Sequence, residues 1–177
     1  MSSATKPPGK GLGQAMLVTS FALGLAALTF IFDGWLARES NPNANPRSFE
    51  NESGVREVVL DRNRQGHYVA GGEVNGVPVT FLLDTGATDV AIPQTIAERA
   101  GLEPGYTGRA FTANGAVTVY GTEVSRLRIG NIELQDVRAS ITPSMAGDTI
   151  LLGMSALQQV EFTQRGSTLT LRQYPEQ

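Results

Sequence analysis

Hydrophobic and polar positions divide the chain into stretches of different character. Residues 1–14 are mostly Ser, Pro, Gly and Lys without periodicity, which predicts a flexible basic tail. Residues 15–32 carry no charge, and the apolar character resumes after Asp33 and continues to Ala37. From residue 55 onward, short apolar and β-branched runs alternate with Gly, Asn and Pro, which predicts an all-β domain over residues 55–177.

The uncharged stretch predicts a single transmembrane anchor over residues 15–37. About twenty helical residues cross the roughly 30 Å hydrocarbon core, and Trp35 lies where an interfacial aromatic is expected. A cleaved signal peptide is one alternative, but its apolar region is usually only ~7–15 residues long, and no small-x-small cleavage site follows. A buried helix of a globular domain is another, but the polar stretch that follows would give it little to pack against.

Residues 38–54 contain mainly Asn, Pro, Ser and Glu, with Phe49 as almost the only large apolar side chain. This composition predicts a solvated linker that lets the domain stand off from the bilayer. Basic residues are nearly balanced on the two sides of the anchor, with two lysines before it and two arginines after it. The tail also carries the amino terminus and has no acid, whereas three glutamates follow the anchor, which gives a modest preference for the tail inside and the domain outside.

Turn signals and apolar runs predict the elements of the domain. Asn75-Gly76 is the strongest hairpin signal, and Asn114-Gly115 and Gly130-Asn131 predict further turns. The predicted strands are residues 55–60, 67–74, 77–83, 109–112, 116–123, 125–129, 132–141 and 167–172, and the predicted helices are residues 93–100 and 155–162. Many short strands with two short helices are typical of a barrel-like fold.

Composition narrows the available chemistry to carboxylates and hydroxyls. The chain has 177 residues, a formal net charge of −3 and no cysteine, which excludes disulfides, thiol nucleophiles and cysteine-ligated zinc. His67 is the only histidine, so a histidine-rich metal site is excluded within one chain, and a Ser-His-Asp triad has one possible base. We expect His67 to be a half-buried strand residue. The interspersed charges indicate no nucleic-acid partner, and we expect neither a metal nor a cofactor.

The segment with the clearest chemical character is Asp84-Thr85-Gly86-Ala87-Thr88, directly after an apolar run that ends at Leu83. This pattern predicts a strand that stops and presents one carboxylate in a tight turn. Thr85 can hold the turn through its hydroxyl, and Gly86 can adopt backbone angles closed to other residues. Because Asp-Thr-Gly also occurs by chance in ordinary loops, the motif alone does not identify a catalytic site.

Two further segments give this motif a context. Thr149-Ile150-Leu151-Leu152-Gly153 is an apolar run that ends in glycine before the second predicted helix. Taken alone, it predicts a buried strand followed by a helix-capping glycine. Thr112-Ala113-Asn114-Gly115 lies between the two motifs and is competent to form a hairpin turn.

Together these segments resemble the retropepsin-like aspartic proteases, over about residues 67–172. Leu82-Leu83-Asp84-Thr85-Gly86-Ala87-Thr88 resembles their active-site loop, and the turn Thr112-Ala113-Asn114-Gly115 stands where their flap hairpin is found. Leu151-Leu152-Gly153 is similar to the segment that lies beneath their active-site loop. With its apolar N-terminal stretch, the whole chain resembles the bacterial membrane-anchored members of this family. The resemblance implies a closed retropepsin-like barrel in the periplasm, anchored in the inner membrane.

The resemblance also implies an aspartic endopeptidase with Asp84 as its catalytic residue. This chemistry uses two facing carboxylates that share one proton, and one Asp-Thr-Gly supplies only half of that site. The active form should then be a homodimer that acts on a peptide or protein substrate, with Thr85 bonding across the dyad and Gly86 allowing close approach. Asp89 and Asp148 are weaker candidates for a second carboxylate from the same chain.

Two positions depart from the family's pattern. Retropepsins commonly carry Asp where this chain has Thr88, and Arg where it has Met154, and that pair helps to brace the viral dimer. The absence of both implies a dimer interface built in another way. Two other functions stay open: a non-catalytic peptide-binding or sensing module on the same fold, which would not need the Asp84 carboxylate, and a structural envelope protein, which explains the anchor but not the motif.

Overall fold

The computed structural model of the chain describes residues 10–112 and 115–175. It divides into two units, Met1–Ala37 and Arg38–Gln177. The elements are, in chain order, α1 (Lys10–Ser40), β1 (Arg47–Glu50), β2 (Arg56–Asp61), β3 (Val69–Val74), β4 (Val77–Leu83), β5 (Val90–Pro93), α2 (Gln94–Arg99), β6 (Thr107–Thr112), β7 (Gly115–Ile129), β8 (Ile132–Thr142), β9 (Thr149–Leu152), α3 (Met154–Leu157), β10 (Glu161–Arg165) and β11 (Thr168–Gln173).

The described part of the first unit is helical. The segment Gly13–Ser40 of α1 is long and apolar enough to cross a membrane, and none of its most apolar stretch is buried. Because a signal sequence near the N-terminus can also meet these criteria of length and composition, the anchor remains a prediction. The predicted flexible tail lies outside the described residues up to residue 9, and residues 10–14 belong to α1.

Two sheets make up the second unit. The smaller one has the strand order β1-β2-β11-β10, and the larger one has the order β3-β4-β9-β5-β8-β7-β6. β3 also pairs with β7, which curls the larger sheet towards a barrel. This pairing joins only Glu73 to Arg128 and Val74 to Leu127, so the barrel is not strictly closed. The all-β fold is confirmed, and the expected closed barrel is corrected to a partly open one.

The core forms where the alternating apolar residues of these sheets face each other. In the smaller sheet, Val58 stands opposite Leu171 and Leu60 opposite Leu169, and all four side chains are buried. Because successive strand residues point to opposite faces, this register buries one face of the sheet and leaves the other to solvent. Phe81, on β4 of the larger sheet, is the largest of the fully buried side chains.

Most predicted strands are found within two residues of their expected ends, but several elements differ. The predicted strands 116–123 and 125–129 are one strand, β7, because the ladder to β8 continues past Ser125. The predicted helix 155–162 is a single turn, α3, and the chain then enters β10, whose only large apolar residue is Phe162. The strand β5 is not predicted as a separate element. His67 is exposed and lies outside β3, so its predicted place in a strand is wrong.

The predicted solvated linker over residues 38–54 is wrong, because much of this segment is built into the domain. β1 pairs along β2, and Asn43 is 4% exposed. The Asn43 amide nitrogen donates to the carbonyl oxygens of Asp61 (2.9 Å) and Val69 (2.7 Å). Its amide oxygen accepts the Asp61 N–H at 2.7 Å. A polar sequence therefore takes part in the fold here through hydrogen bonds to backbone, which a hydrophobic pattern does not reveal.

We expect a fragment that starts at Ser48 to be less stable than one that starts at Arg38, by about 2–4 kcal/mol. The shorter fragment lacks Asn43, which also accepts the Gly71 N–H at 2.9 Å through its own carbonyl. Urea unfolding of the two fragments measures the difference, and Asn43→Ala in the longer fragment should reproduce most of it. Equal unfolding midpoints for the two fragments would contradict this role of the segment.

Candidate active site

Asp84 follows β4 directly, at the point where this strand and its parallel neighbour β9 both end. Leu83 stands beside Leu152 in the register, and the Asp84 N–H donates to the Leu152 carbonyl oxygen at 3.1 Å. The carboxylate oxygen Oδ1 of Asp84 accepts the Gly86 N–H at 2.9 Å, and the Asp84 carbonyl accepts the Ala87 N–H at 3.2 Å. The aspartate therefore closes its own turn, as the sequence predicts for a presented carboxylate.

The exposed tip of this loop leaves polar groups available to a partner or substrate. Asp84 is half-buried, and Thr85 and Gly86 are exposed. In the part of the chain that the structure describes, the Thr85 hydroxyl makes no hydrogen bond, so it does not hold the turn in the way that the sequence suggested. Thr88 is exposed as well, and Ala87 is half-buried.

The segment from Leu151 to Gly153 lies against the loop. Met154 N–H donates to the carbonyl oxygen of Ala87 at 2.8 Å, and the next N–H along the chain donates to that of Thr88 at 2.9 Å. A Cβ at Gly153 would lie 2.3 Å from the Asp89 carbonyl oxygen and 2.8 Å from that of Ala87. Because real Cβ atoms do not approach a backbone so closely, only glycine allows this packing. The two motifs that the sequence analysis singled out are therefore in direct contact.

We expect Gly153→Ala to destabilise the second unit by about 1–3 kcal/mol, because the new methyl group must push the loop backbone away. The expected thermal midpoint is several degrees lower. Gly108→Ala is the matched control, since its Cβ would make only ordinary contacts, at 3.6 Å with the Val119 side chain and at 4.0 Å with the Tyr106 ring and the Val119 carbonyl oxygen. An unchanged midpoint for Gly153→Ala beside an unchanged control would contradict the close packing.

Ser155 and Arg138 support the loop in ways that the sequence analysis missed. Ser155 is buried; its hydroxyl donates to the Arg138 carbonyl oxygen at 2.7 Å and accepts the Val90 N–H at 3.0 Å. The Arg138 guanidinium donates to the Asp89 carboxylate at 2.6 Å, and this hydrogen bond and charge raise the pKa of Arg138 above its ordinary value. These partners are far apart in sequence, so no local pattern signals them.

Neither of the alternative carboxylates is placed to share a proton with Asp84. Asp89 is bound to Arg138. Asp148 immediately precedes β9, and because β4 and β9 are parallel, it lies at the far end of the strand pair. At the usual rise per residue of a β-strand, Asp148 and Asp84 are separated by roughly 15 Å along the strands. Within residues 10–112 and 115–175, no group of three or more His, Asp or Glu side chains could hold a metal ion.

The predicted flap is a hairpin formed by β6 and the first half of β7. Thr112 pairs with Gly115 at the end of the ladder between the two strands; the predicted flap residues Ala113 and Asn114 lie outside the described residues. The Thr112 hydroxyl donates to the Gly115 carbonyl oxygen at 2.9 Å. Gly115 has a φ of 110°, which favours glycine at this position. Phe111, next to the turn, is 88% exposed.

Comparison with known proteins places this site in a family. The family described as "gag-polyprotein putative aspartyl protease" matches residues 70–159, about half of the chain, and this region contains the Asp84 loop, the hairpin, β9 and α3. A retropepsin-like aspartic protease from Rickettsia conorii, known from a crystal structure, is similar at 27% identity with a TM-score of 0.60. The similarity covers 73% of this chain and 96% of the Rickettsia chain.

Two curated relatives are uncharacterized proteins. One is from Sinorhizobium sp., encoded in the 5′ region of cobV, and is 33% identical over 123 residues, which cover 67% of this chain and 53% of the relative. The other, from Rickettsia prowazekii, is 28% identical over 148 residues, which cover 82% of this chain and 63% of the relative. The chain thus spans between half and two thirds of the length of these relatives. From the family match and the fold, this chain belongs to the retropepsin-like aspartic proteases, in the form found in bacteria.

Proposed function

We propose that the chain is an aspartic endopeptidase whose active site forms between two copies, with Asp84 of each copy as a catalytic residue. The observation that carries this proposal is the single Asp84 carboxylate at the end of β4. The loop that presents it packs closely against Gly153. Among the described residues, the other candidate carboxylates are ion-paired or at the far end of the sheet. A second copy of the chain is therefore the simplest source of the second catalytic carboxylate.

The proposed chemistry follows from two carboxylates that share one proton. The ionised Asp84 accepts a proton from water as the water oxygen attacks the peptide carbonyl carbon, and the protonated Asp84 of the other chain donates to the carbonyl oxygen. When the tetrahedral intermediate breaks down, the C–N bond cleaves and a proton passes to the departing nitrogen. The products are a carboxylic acid and an amine, and the pair again holds one proton.

The exposed tip of the loop fits a contact between two copies. Thr85 has a hydroxyl without a partner in the described chain, and we assign it a hydrogen bond to the partner's loop across the twofold axis. Gly86 leaves room for the partner's carboxylate. Thr88 and Met154 cannot form the ion pair that braces viral retropepsins, so this dimer should depend on other contacts and dissociate more readily.

The hairpin of β6 and β7 is assigned the role of a flap that closes over the substrate. The ladder of this hairpin extends to the pair Thr112 and Gly115, and the neighbouring Phe111 has a large exposed ring. An apolar ring in this position can cover an apolar substrate side chain and exclude water from the carboxylates. The substrate is therefore expected to be an extended peptide with at least one apolar residue beside the cleaved bond.

The apolar part of α1 is assigned the role of an uncleaved membrane anchor, with the second unit in the periplasm and the helix in the inner membrane. Support comes from the length of the apolar span and from the exposed Trp35 near its C-terminal end. Extraction with alkaline carbonate would leave an anchored chain in the membrane fraction, and the N-terminal sequence of that chain would show whether the helix is retained.

Cleavage of an unstructured protein by the purified full chain tests the proposed activity. We expect peptide products that disappear when a pepstatin-like transition-state analogue is added, because such an inhibitor occupies both carboxylates. A chain that binds the unstructured protein without cleaving it would instead be a peptide-binding module, and the endopeptidase assignment would fail. The identity of the products would define the cleavage preference.

A further inference from the structure

Glu39 and Ser40, the last residues of α1, belong to the second unit, which begins at Arg38, and contact its turn between β2 and β3. Asn63, in the turn between β2 and β3, donates from its side-chain amide to the Ser40 carbonyl oxygen at 3.0 Å. Arg64 in the same turn forms an ion pair with Glu39 at 3.3 Å. Asn63 is itself buried. The chain therefore leaves the apolar stretch, which ends at Ala37, and is held by the domain within three residues.

The turn that holds the helix end is rigid, and it presents its long side chains outward. The Asn63 amide oxygen accepts the N–H groups of Gln65 at 3.0 Å and His67 at 2.9 Å. The backbone of Arg62 donates to the Ser167 carbonyl oxygen at 2.9 Å, which places the turn between β10 and β11 at the same end of the smaller sheet. Arg165, the last residue of β10, lies directly beside this second turn.

This end of the domain carries an excess of positive charge. We name it the basic end and define it by five exposed residues: Arg38, Arg62, Arg64, Arg165 and His67. Two carboxylates lie nearby, and each already has an arginine partner: Glu39 is paired with Arg64 and Asp61 with Arg47. In the described part of the chain, Arg38, Arg62 and Arg165 form no ion pair. Three guanidinium groups are therefore available to an external anion.

We propose that the basic end is a docking surface for anionic phospholipid headgroups. The proposal rests on the membrane anchoring in the proposed function: if the apolar helix spans the bilayer, the boundary with water falls near Arg38, where the charged residues begin. Glu39 and Ser40 follow that boundary within three residues and contact the turn that carries Arg62 and Arg64, which brings these arginines near the headgroups. Arginine binds phosphate by paired, charge-assisted hydrogen bonds, which suits this contact.

The charge distribution favours a lipid surface over a free anion or a nucleic acid. The arginines are exposed on the surface of the domain, and the net charge of the whole chain is −3, which opposes binding to a polyanion in solution. A bilayer that contains anionic lipid presents many phosphates in a plane beside the basic end. Docking would fix the orientation of the domain on the membrane, and with it the direction from which substrates reach Asp84.

The single histidine of the chain provides a probe at the basic end. The full chain is placed in nanodiscs of phosphatidylcholine, or of phosphatidylcholine mixed with phosphatidylglycerol, and the reaction of His67 with diethyl pyrocarbonate is followed by peptide mass spectrometry. The pH and the reagent concentration are the same for both lipids. We expect the reaction to be slower by about threefold or more in the anionic discs, because headgroup contact shields the ring, and to recover at high salt.

Matched charge variants separate docking from a general effect of net charge. Arg62→Gln/Arg165→Gln should abolish the difference between the two lipids, and it leaves the pair Arg64–Glu39 intact. Arg99→Gln/Arg126→Gln removes the same charge at the other end of β3, beside Asn75, and should keep the difference. The proposal would be overturned if His67 of the unmodified chain reacted equally fast in both lipids. It would also be overturned if both double variants lost the difference between the lipids.

Failure of the anchor is recognised in the same experiment. If the chain does not elute together with nanodiscs of phosphatidylcholine alone, α1 does not insert, and both the anchoring and the docking surface are overturned. If it elutes with them and His67 reacts equally in both lipids, the anchoring stands and only the docking surface fails. Peptide cleavage by the same samples is measured separately, so the endopeptidase proposal is judged on its own result.

Discussion

Replacement of Asp84 by Asn should reduce peptide cleavage by at least about a thousandfold, because the substitution removes both the base and the acid of the shared pair. Asn has nearly the same shape, and its side-chain oxygen can still accept the Gly86 N–H that closes the turn. The fold should therefore be unchanged, with the same circular dichroism spectrum and thermal midpoint as the unmodified chain. Loss of activity together with loss of the fold would not count as support.

Asp148→Asn is the control for this substitution. It removes one exposed carboxylate at the opposite end of the strand pair and should leave cleavage unchanged. A purified Asp84→Asn chain that retains cleavage in the presence of inhibitors of serine, cysteine and metalloproteases and of a pepstatin-like inhibitor would end the aspartic-protease assignment for this site. Excess Asp84→Asn chain mixed with the unmodified chain should also suppress activity, because most unmodified chains would then pair with an inactive partner.

The parts of the fold that depend on hydrophobic pattern and turn chemistry could be predicted from sequence. β4 has its predicted bounds because an Asn-Gly turn starts it and a polar Asp-Thr-Gly turn ends it. The contact between the Asp84 loop and Gly153 was implied by the family resemblance, and the structure gives its physical reason in a Cβ that would not fit. Local signals were sufficient for β4 because both turns lie directly beside the strand that they bound.

Elements that depend on long-range polar contacts could not be predicted in this way. Asn43 is buried because its amide joins β2 to β3, although the residues around it are typical of a solvated linker. Ser155 supports the Asp84 loop through a hydrogen bond to the backbone of Arg138. Neither residue belongs to an apolar pattern, so hydrophobic periodicity carries no information about them. β10 was missed for a related reason: Phe162 is its only large apolar residue, and its other side chains are polar or charged.

Dilution should abolish the activity of fragment 38–177, because each active site needs two copies of Asp84. Below the dissociation constant of the dimer, specific activity should fall in proportion to concentration, since nearly every chain is then a monomer. The full chain in vesicles should keep its activity at the same total concentration, because an anchor confines the chains to a surface and raises their effective concentration. Thr88 and Met154 cannot form the viral bracing pair, so we expect the fragment to dissociate in a readily accessible concentration range.

The pH dependence of the same samples tests the shared proton. Cleavage should show a bell-shaped profile on the acid side of neutral, because the carboxylate pair is active with one proton and inactive with two or none. The measurement is a dilution series of fragment 38–177 at several pH values, with sedimentation equilibrium at each concentration. Constant specific activity in samples that sediment as monomers would contradict the shared site. Asp84 would then have to work with a carboxylate of its own chain. Asp89→Asn would be the first substitution to test, because Asp89 lies in the same loop. In that case the Asp89 carboxylate would have to leave its ion pair with Arg138.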